Sequence, residues 1–391
     1  MLSEILLTSH YHMQKVNIRV REREKGNFEA RVVINGKRYS RYGNSISEAK
    51  KKAKILLEES EKSNVLSKAI KLNIAMQDYL ENVKQARIKA STYDRVESTF
   101  RYHIQDEAIG RMQVGVIKSS DIEKHLNMKC QAGLSKSAVK KIFNLLGEFF
   151  RYAVAIREII YNPMDLVEMP HSSKFIHESK EMELMTVDEL KKVIAIAEKI
   201  DENGKPKFRY GEAIILLINT GLRSGELRGI KKQDIDFDRK ILHIRRNVTY
   251  AKDRENGGII YLIGDLKTEN SKRNIPLNNR ALLAIQRLLE TTYNPDTDYL
   301  VCAPVGEIVS NSPLQKCYTA ILKEADIKKM GLHSTRHTFA TVILKDAEDK
   351  GQIKEVSELL GHSQVSTTYK YYIKTSNEDK RNLVDQLNLL V

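Results

Sequence analysis

Near the C-terminus the stretch STTYKYYIKTSNEDK, residues 366–380, places Tyr369, Tyr371 and Tyr372 within a few positions of one another. A surface helix rarely needs three phenols this close unless they pack or react. Four earlier segments bring Arg, Lys and His into play. TGLRSGEL turns through Gly221 and presents Arg223 at the start of a helix, with Glu226 one turn on. Alone this is a surface ion pair, but the apolar run before it sets Arg223 at the edge of a core. LKTENSKR puts Lys267 at the end of a strand before a polar turn, where most lysines are merely solvated. HSTRH gathers His333, Arg336 and His337, with the first two one helical turn apart on one face. LLGHSQVSTT places His362 directly after a Gly that ends an apolar helix, where a lone histidine is usually a C-cap partner.

Taken together, these are two arginines, a lysine, two histidines and a late tyrosine. The sequence offers no Asp and Glu cluster suited to magnesium, no His and Cys spacing suited to zinc and no Walker-type glycine loop. We therefore expect no metal and no cofactor. Arginine forks match phosphate oxygens bidentately and can stabilise the added charge of a pentavalent phosphoryl transition state. A tyrosine is then a candidate covalent nucleophile. Its phosphodiester link to DNA would keep the energy of the broken strand, so that rejoining needs no ATP.

These residues need a scaffold, and the chain reads as mainly α with small β-sheets in three parts. Over residues 14–60, Phe28, Ala30, Val32 and Ile34 alternate at the period of a strand. Asn35-Gly36 is a tight-turn signal before a second strand through Tyr39 to Tyr42. Ser45 and Glu48 then have the spacing of a capping box at the start of a helix. This small sheet backed by one helix carries Arg31, Lys37, Arg38 and Arg41, and strands bearing alternate Arg and Lys can enter a DNA groove. Residues 66–165 read as helical. Val139, Ile142, Phe143, Leu146, Phe149, Phe150 and Ala153 make one stripe, and a segment capped at Ser91 or Thr92 exposes Arg95 and Arg101. Pro163, Pro170 and the polar stretch after them mark a linker. Residues 178–391 form the largest part, mostly helix with one small sheet, and include a helix capped by Thr186 with Glu189.

The chain has 391 residues, enough for two or three domains, and a formal net charge of +14. An excess of that size points to a polyanion, with phosphates neutralised by Lys and Arg. Cys130, Cys302 and Cys317 are odd in number and widely spaced, which fits no disulfide framework and suggests a reducing cytoplasm. The first ten residues lack a basic n-region, and the longest apolar run, AIILLIN, is far too short to span a bilayer. A cytoplasmic protein with no membrane partner is expected.

TGLRSGELRGI, KTENSKRNIPL, LHSTRHTFAT and ELLGHSQVSTTYKYY resemble, in order and spacing, the four active-site boxes of the tyrosine recombinase (phage integrase) family. The basic sheet module resembles the arm-site-binding domain of phage and conjugative-transposon integrases. The helical middle resembles their SAM-like core-binding domain, and the last part their mixed α/β catalytic domain of the DNA breaking-rejoining type. The resemblance implies that Arg223 and Arg336 clamp the non-bridging oxygens of the scissile phosphate. Lys267 would protonate the leaving 5′-hydroxyl, His333 would assist proton transfer at the tyrosine, and His362 would hydrogen-bond the phosphate. Glu226 would support the site, and His337 would pack. It also implies double-stranded DNA with core and arm attachment sites as partner, a tetramer on that DNA, and a directionality factor and a DNA-bending host protein as helpers.

The family's nucleophile follows the second His by nine residues in many members and by ten in others. Nine selects Tyr371 and ten selects Tyr372, while Tyr369 is too near. Members often carry a basic or His residue two positions past the nucleophile and an acid about six past. From Tyr372 these are Lys374 and Glu378, and from Tyr371 they are Ile373 and Asn377, so Tyr372 is favoured with Tyr371 as the alternative. The expected function is integration and excision of a mobile element. The competing readings are a non-catalytic DNA-binding regulator of the same fold and a type IB topoisomerase-like enzyme. The apolar tail NLVDQLNLLV is expected to dock on a neighbouring protomer.

Overall fold

The computed structural model describes residues 18–24, 26–34, 37–67, 70–176, 184–265, 272–345, 350–362, 364–366 and 368. The chain divides into two compact units, Met1–Lys180 and Glu181–Val391.

The first unit opens with an antiparallel sheet, β1 (Arg19–Glu24), β2 (Asn27–Ile34) and β3 (Lys37–Gly43), in the order β1-β2-β3. Ala30 and Val32 of β2 point to one face and are sealed by Ala49 and Ala53 of α1 (Ile46–Ser67). The expected capping box is half formed. Ser45 Oγ accepts from Glu48 N–H at 3.1 Å, but the Glu48 carboxylate accepts from Asn44 N–H at 2.9 Å. A helical bundle follows: α2 (Leu72–Tyr79), α3 (Gln85–Arg87), α4 (Ala90–Phe100), α5 (Ser119–Gln131) and α6 (Lys136–Ala155). Short π-helical turns, Leu80–Lys84 and Arg101–Gln105, extend α2 and α4. Ser135 caps α6, whose stripe from Val139 to Ala153 forms the centre of this core, with Phe143 at its margin. The start of α4 differs from expectation. Its N-cap is Lys89, and Ser91 and Thr92 lie inside the helix without a capping bond. Pro163 begins a 3₁₀ turn whose first two residues are buried and Phe175 packs on the helical core, so the proline-marked segment belongs largely to this unit.

The second unit is built on α8 (Gly211–Thr220), an almost wholly buried helix that follows α7 (Val187–Ala197). Thr186 and Glu189 close the capping box of α7 at 3.2 and 2.7 Å. Gly221 ends α8 at φ 63°, and a Cβ there would lie 2.4 Å from Phe339 Cδ1, so the turn requires glycine. After α9 (Ser224–Arg228) come β4 (Ile235–Asp236), β5 (Ile241–Ile244), β6 (Arg246–Lys252), β7 (Ile259–Asp265) and β8 (Arg273–Pro276). They form two sheets where one was expected: β4-β5-β8, which lies on the core through Leu242 and Ile275, and the β6-β7 ribbon. Helices α10 (Asn279–Thr291), α11 (Asn311–Glu324), α12 (Ser334–Lys345) and α13 (Lys350–Leu360) complete the unit. No helix among the described residues is long and apolar enough to cross a membrane.

Candidate active site

The site forms around the C-terminal end of α13. The last carbonyls of a helix have no partner within it and carry partial negative charge. The last turn of α13 contains no basic residue of its own. Three guanidinium groups from elsewhere meet three consecutive carbonyls there. Arg273 Nε donates to Leu359 O at 2.6 Å, Arg336 Nη2 to Leu360 O at 2.5 Å and Arg223 Nη2 to Gly361 O at 3.0 Å. Gly361 turns the chain away at φ 65° and delivers His362 beside them.

Each arginine is held from a second direction. Arg336, on the first turn of α12 and buried, also donates Nη1 to Gly221 O at 2.8 Å, which ties it to the end of α8. Arg223 precedes α9 and donates Nη1 to Glu226 Oε1 at 2.7 Å, while its backbone N–H reaches Oε2 at 2.8 Å. Arg273 grips the same carboxylate with a fork, at 3.0 Å to Oε1 and 2.9 Å to Oε2. Glu226 thus accepts four hydrogen bonds and is buried. Burial alone would raise its carboxyl, but the Arg273 fork and the Arg223 charge hold it down to about 2. Arg223 is the most open of the three arginines, with 37% of its side chain exposed against 6% for Arg273.

The histidines complete the cluster. Gln315 of α11 shapes the loop before α12 by accepting from Leu332 N–H at 2.8 Å and donating to Met330 O at 3.2 Å. His333 emerges from that loop with its ring edge-on to His337 at 4.4 Å. His362 shares a hydrogen bond between Nδ1 and Thr368 Oγ1 at 2.8 Å and opens onto a cleft also lined by Lys272 and Asn274. Crowding by protein, then the charges of His337, Arg336 and Arg223, lower His333 to about 4. Burial, then Arg336, Arg223 and Arg273, lower His362 to about 4. Both rings are therefore neutral at pH 7 and stand in a field of fixed positive charge. Such a site can take up an anion with hydrogen-bonding oxygens. Among the described residues no group of three or more His, Cys, Asp or Glu side chains could hold a metal ion.

Of the residues singled out in the sequence, Arg223, Glu226, His333, Arg336 and His362 come together here, with the His337 ring edge-on to His333. Lys267, Tyr369, Tyr371, Tyr372, Lys374 and Glu378 lie outside the described residues. Arg31 and Arg38 stand on the open face of the N-terminal sheet, whereas Arg41 pairs with Ala30 and has the register of the face toward α1. Of Lys37 only the backbone, at the start of β3, is described. Arg95 and Arg101 are exposed on the helical bundle, with the Arg101 guanidinium 4.7 Å from the Tyr102 ring centre. Arg273 was missed. The available signal was register, because Arg273, Ile275 and Leu277 alternate onto one face and the latter two are core residues.

A profile of the phage integrase family matches residues 183–378. A tyrosine recombinase XerC-like protein of Caldanaerobacter subterraneus subsp. tengcongensis is 30% identical over 342 residues, covering 83% of this chain and 84% of that protein. Tyrosine recombinase XerC of Staphylococcus aureus is 26% identical over 308 residues, covering 77% and 89%. Among solved structures, the Tn1549 transposon integrase in complex with a circular intermediate DNA matches with a TM-score of 0.66 at 20% identity, covering 80% of this chain and 99% of that one. A lambda integrase dimer bound to a COC′ core site matches with a TM-score of 0.56 at 18% identity, covering 93% and 96%. These structures share the fold. The chain belongs to the phage integrase family of tyrosine recombinases, enzymes that cut and rejoin DNA strands.

Proposed function

We propose that this enzyme is a site-specific integrase that inserts and excises a mobile element through a 3′-phosphotyrosyl intermediate. The observation that supports this reading best is the convergence of Arg223, Arg336 and His362 at the end of α13. In the reaction we propose, Arg223 and Arg336 hold the non-bridging oxygens of the scissile phosphate and His362 donates a further hydrogen bond. The Tyr372 phenolate attacks phosphorus and displaces the 5′-hydroxyl, whose proton comes from Lys267. His333, neutral at pH 7, accepts the phenol proton. Attack by a 5′-hydroxyl of the partner duplex then reverses the chemistry and releases the tyrosine. Glu226 keeps Arg223 in place.

In this reading residues 14–60 bind arm sites, 66–165 bind core sites and 178–391 carry out catalysis. Four protomers hold two duplexes, and a directionality factor and a DNA-bending host protein decide between insertion and excision. The related integrases in complex with DNA, and a lambda integrase tetramer bound to a Holliday junction, are the precedents. Binding arm and core together gains affinity through effective concentration.

The test is covalent trapping on a nicked attachment-site duplex, with Tyr371→Phe and Tyr372→Phe side by side. Wild type is expected to form an adduct stable to SDS, and Tyr372→Phe to lose it completely. Loss in Tyr371→Phe alone would transfer the nucleophile to Tyr371. No adduct from wild type would leave a DNA-binding regulator, and relaxation of supercoiled DNA without sequence preference would mark a topoisomerase.

A further inference from the structure

The N-terminal sheet has one face covered by α1 and one left open. The register assigns Arg19 and Arg21 of β1, Arg31 of β2 and Arg38 of β3 to the open face, and Arg23, at an irregularity in β1, reaches the same face through its bond to Glu29. A single carboxylate, Glu29, sits among them at the centre of the middle strand. Its Oε2 accepts from Arg21 Nε at 2.6 Å, from Arg23 Nε at 2.7 Å and from Arg31 Nη2 at 3.3 Å. Its Oε1 accepts from Arg31 Nε at 2.9 Å and from Ser40 Oγ at 2.6 Å. The Glu29 side chain is 1% exposed, while those of Arg21, Arg23 and Arg31 are 46%, 48% and 35% exposed. The arginines themselves, and not the core, shut the carboxylate off from water. Hydrogen bonds from Arg23, then Arg31 and Ser40, hold it far below the usual carboxylate range, so it is ionised at neutral pH.

A face that only needs to attract phosphate gains nothing from a carboxylate, which removes one unit of positive charge. Phosphate contacts position a protein on the duplex and tolerate mobile side chains, whereas base-edge contacts require fixed donors. Glu29 engages Arg21 and Arg23 through Nε, so these bonds do not use the end-on pair of Nη donors of either side chain. Paired Nη donors suit the O6 and N7 acceptors of guanine in the major groove. Holding the three side chains in advance also removes rotamer entropy that each otherwise loses on binding.

We propose that Glu29 is a positioning residue for sequence recognition: it locks Arg21, Arg23 and Arg31 into one guanidinium row that reads base edges in the DNA major groove. This deepens the arm-site reading above and rests on it. Glu29 therefore sets discrimination and weakens non-specific attraction, two effects of opposite sign.

The experiment selects binders from a random-sequence duplex library with the full-length protein. Enriched sequences are then titrated against a scrambled duplex across a salt series. A motif that disappears in Arg21→Ala/Arg23→Ala/Arg31→Ala while other enriched motifs persist belongs to the sheet. If no motif behaves this way, the arm-site reading fails. Where the motif exists, Glu29→Gln is expected to lower the specific-to-scrambled affinity ratio by ~10-fold or more while scrambled binding stays equal or tightens. Arg21→Lys/Arg23→Lys keeps the charge but lacks Nε and the fork, and is expected to lose discrimination at an unchanged salt slope. Wild-type discrimination in either Glu29→Gln or the lysine variant overturns the role of Glu29 and leaves the arm-site reading standing. If Glu29→Gln melts early, the lysine variant decides alone.

Discussion

His333 and His362 share an unusual setting for histidines at a phosphate-handling site, since each is held near 4 by its surroundings. The cost falls on the charged imidazolium, because neighbouring protein crowds the exposed His333 and displaces water around the half-buried His362 while Arg336 and Arg223 repel a further positive charge. Linkage fixes the sign. An unfolded histidine titrates at ~6.5, so between there and about 4 the unfolded chain binds more protons than the folded one. The stability contributed by keeping both rings neutral is complete above ~6.5 and is lost as pH falls toward 4. We expect the melting temperature of the DNA-free protein to drop between pH 7 and pH 5, and His333→Gln/His362→Gln to flatten that drop. Equal pH dependence in both proteins would refute the assignment. A phosphate diester entering the cluster supplies the opposite charge, so the same rings become easier to protonate once substrate is bound.

The end of α13 shows how elements, and not single residues, assemble the site. Strand β8 brings Arg273, the loop between α8 and α9 brings Arg223, and α12 brings Arg336 to one helix terminus. Gly361 permits this approach, because a Cβ there would lie 3.0 Å from Arg273 Nη1. Arg273→Met would leave Leu359 O unpartnered and Glu226 with one guanidinium in place of two. Breaking a buried pair of this kind costs ~3–5 kcal/mol, or a fall of about 10 °C in melting temperature for a unit of this size. Adduct formation should decline as well, since Glu226 and the end of α13 are what orient Arg223. A variant that melts like wild type would show that the fork is dispensable. Local signals in the sequence revealed much of this frame. The apolar run of α8, its glycine stop at Gly221 and the Thr186 capping box each depend on neighbours within a few residues. Arg273 was opaque for the opposite reason, as its partners Glu226 and Leu359 lie 47 and 86 positions away. Strand β1 was hidden because the covered-side position after Val20 is Glu22, so it shows no apolar alternation.

At the scale of the molecule, a net charge of +14 supplies attraction to DNA but no instruction for counting protomers. A strand-exchange enzyme has to couple cutting to assembly, because a cut made outside the complex has no partner strand to join. Residues 382–391, NLVDQLNLLV, lie outside the described residues and are candidates for that coupling. They include six apolar positions after a charged stretch that ends at Arg381: Leu383, Val384, Leu387, Leu389, Leu390 and Val391. An apolar segment of this kind gains most when a neighbour covers it. If it docks on an adjacent protomer, removing residues 382–391 should reduce synapsis of two duplexes while adduct formation on a single nicked site stays near wild type. Native gel assays of paired duplexes, run beside the trapping assay, separate the two quantities. Parallel loss of both would place the segment in its own protomer's fold, and retention of both would make it dispensable.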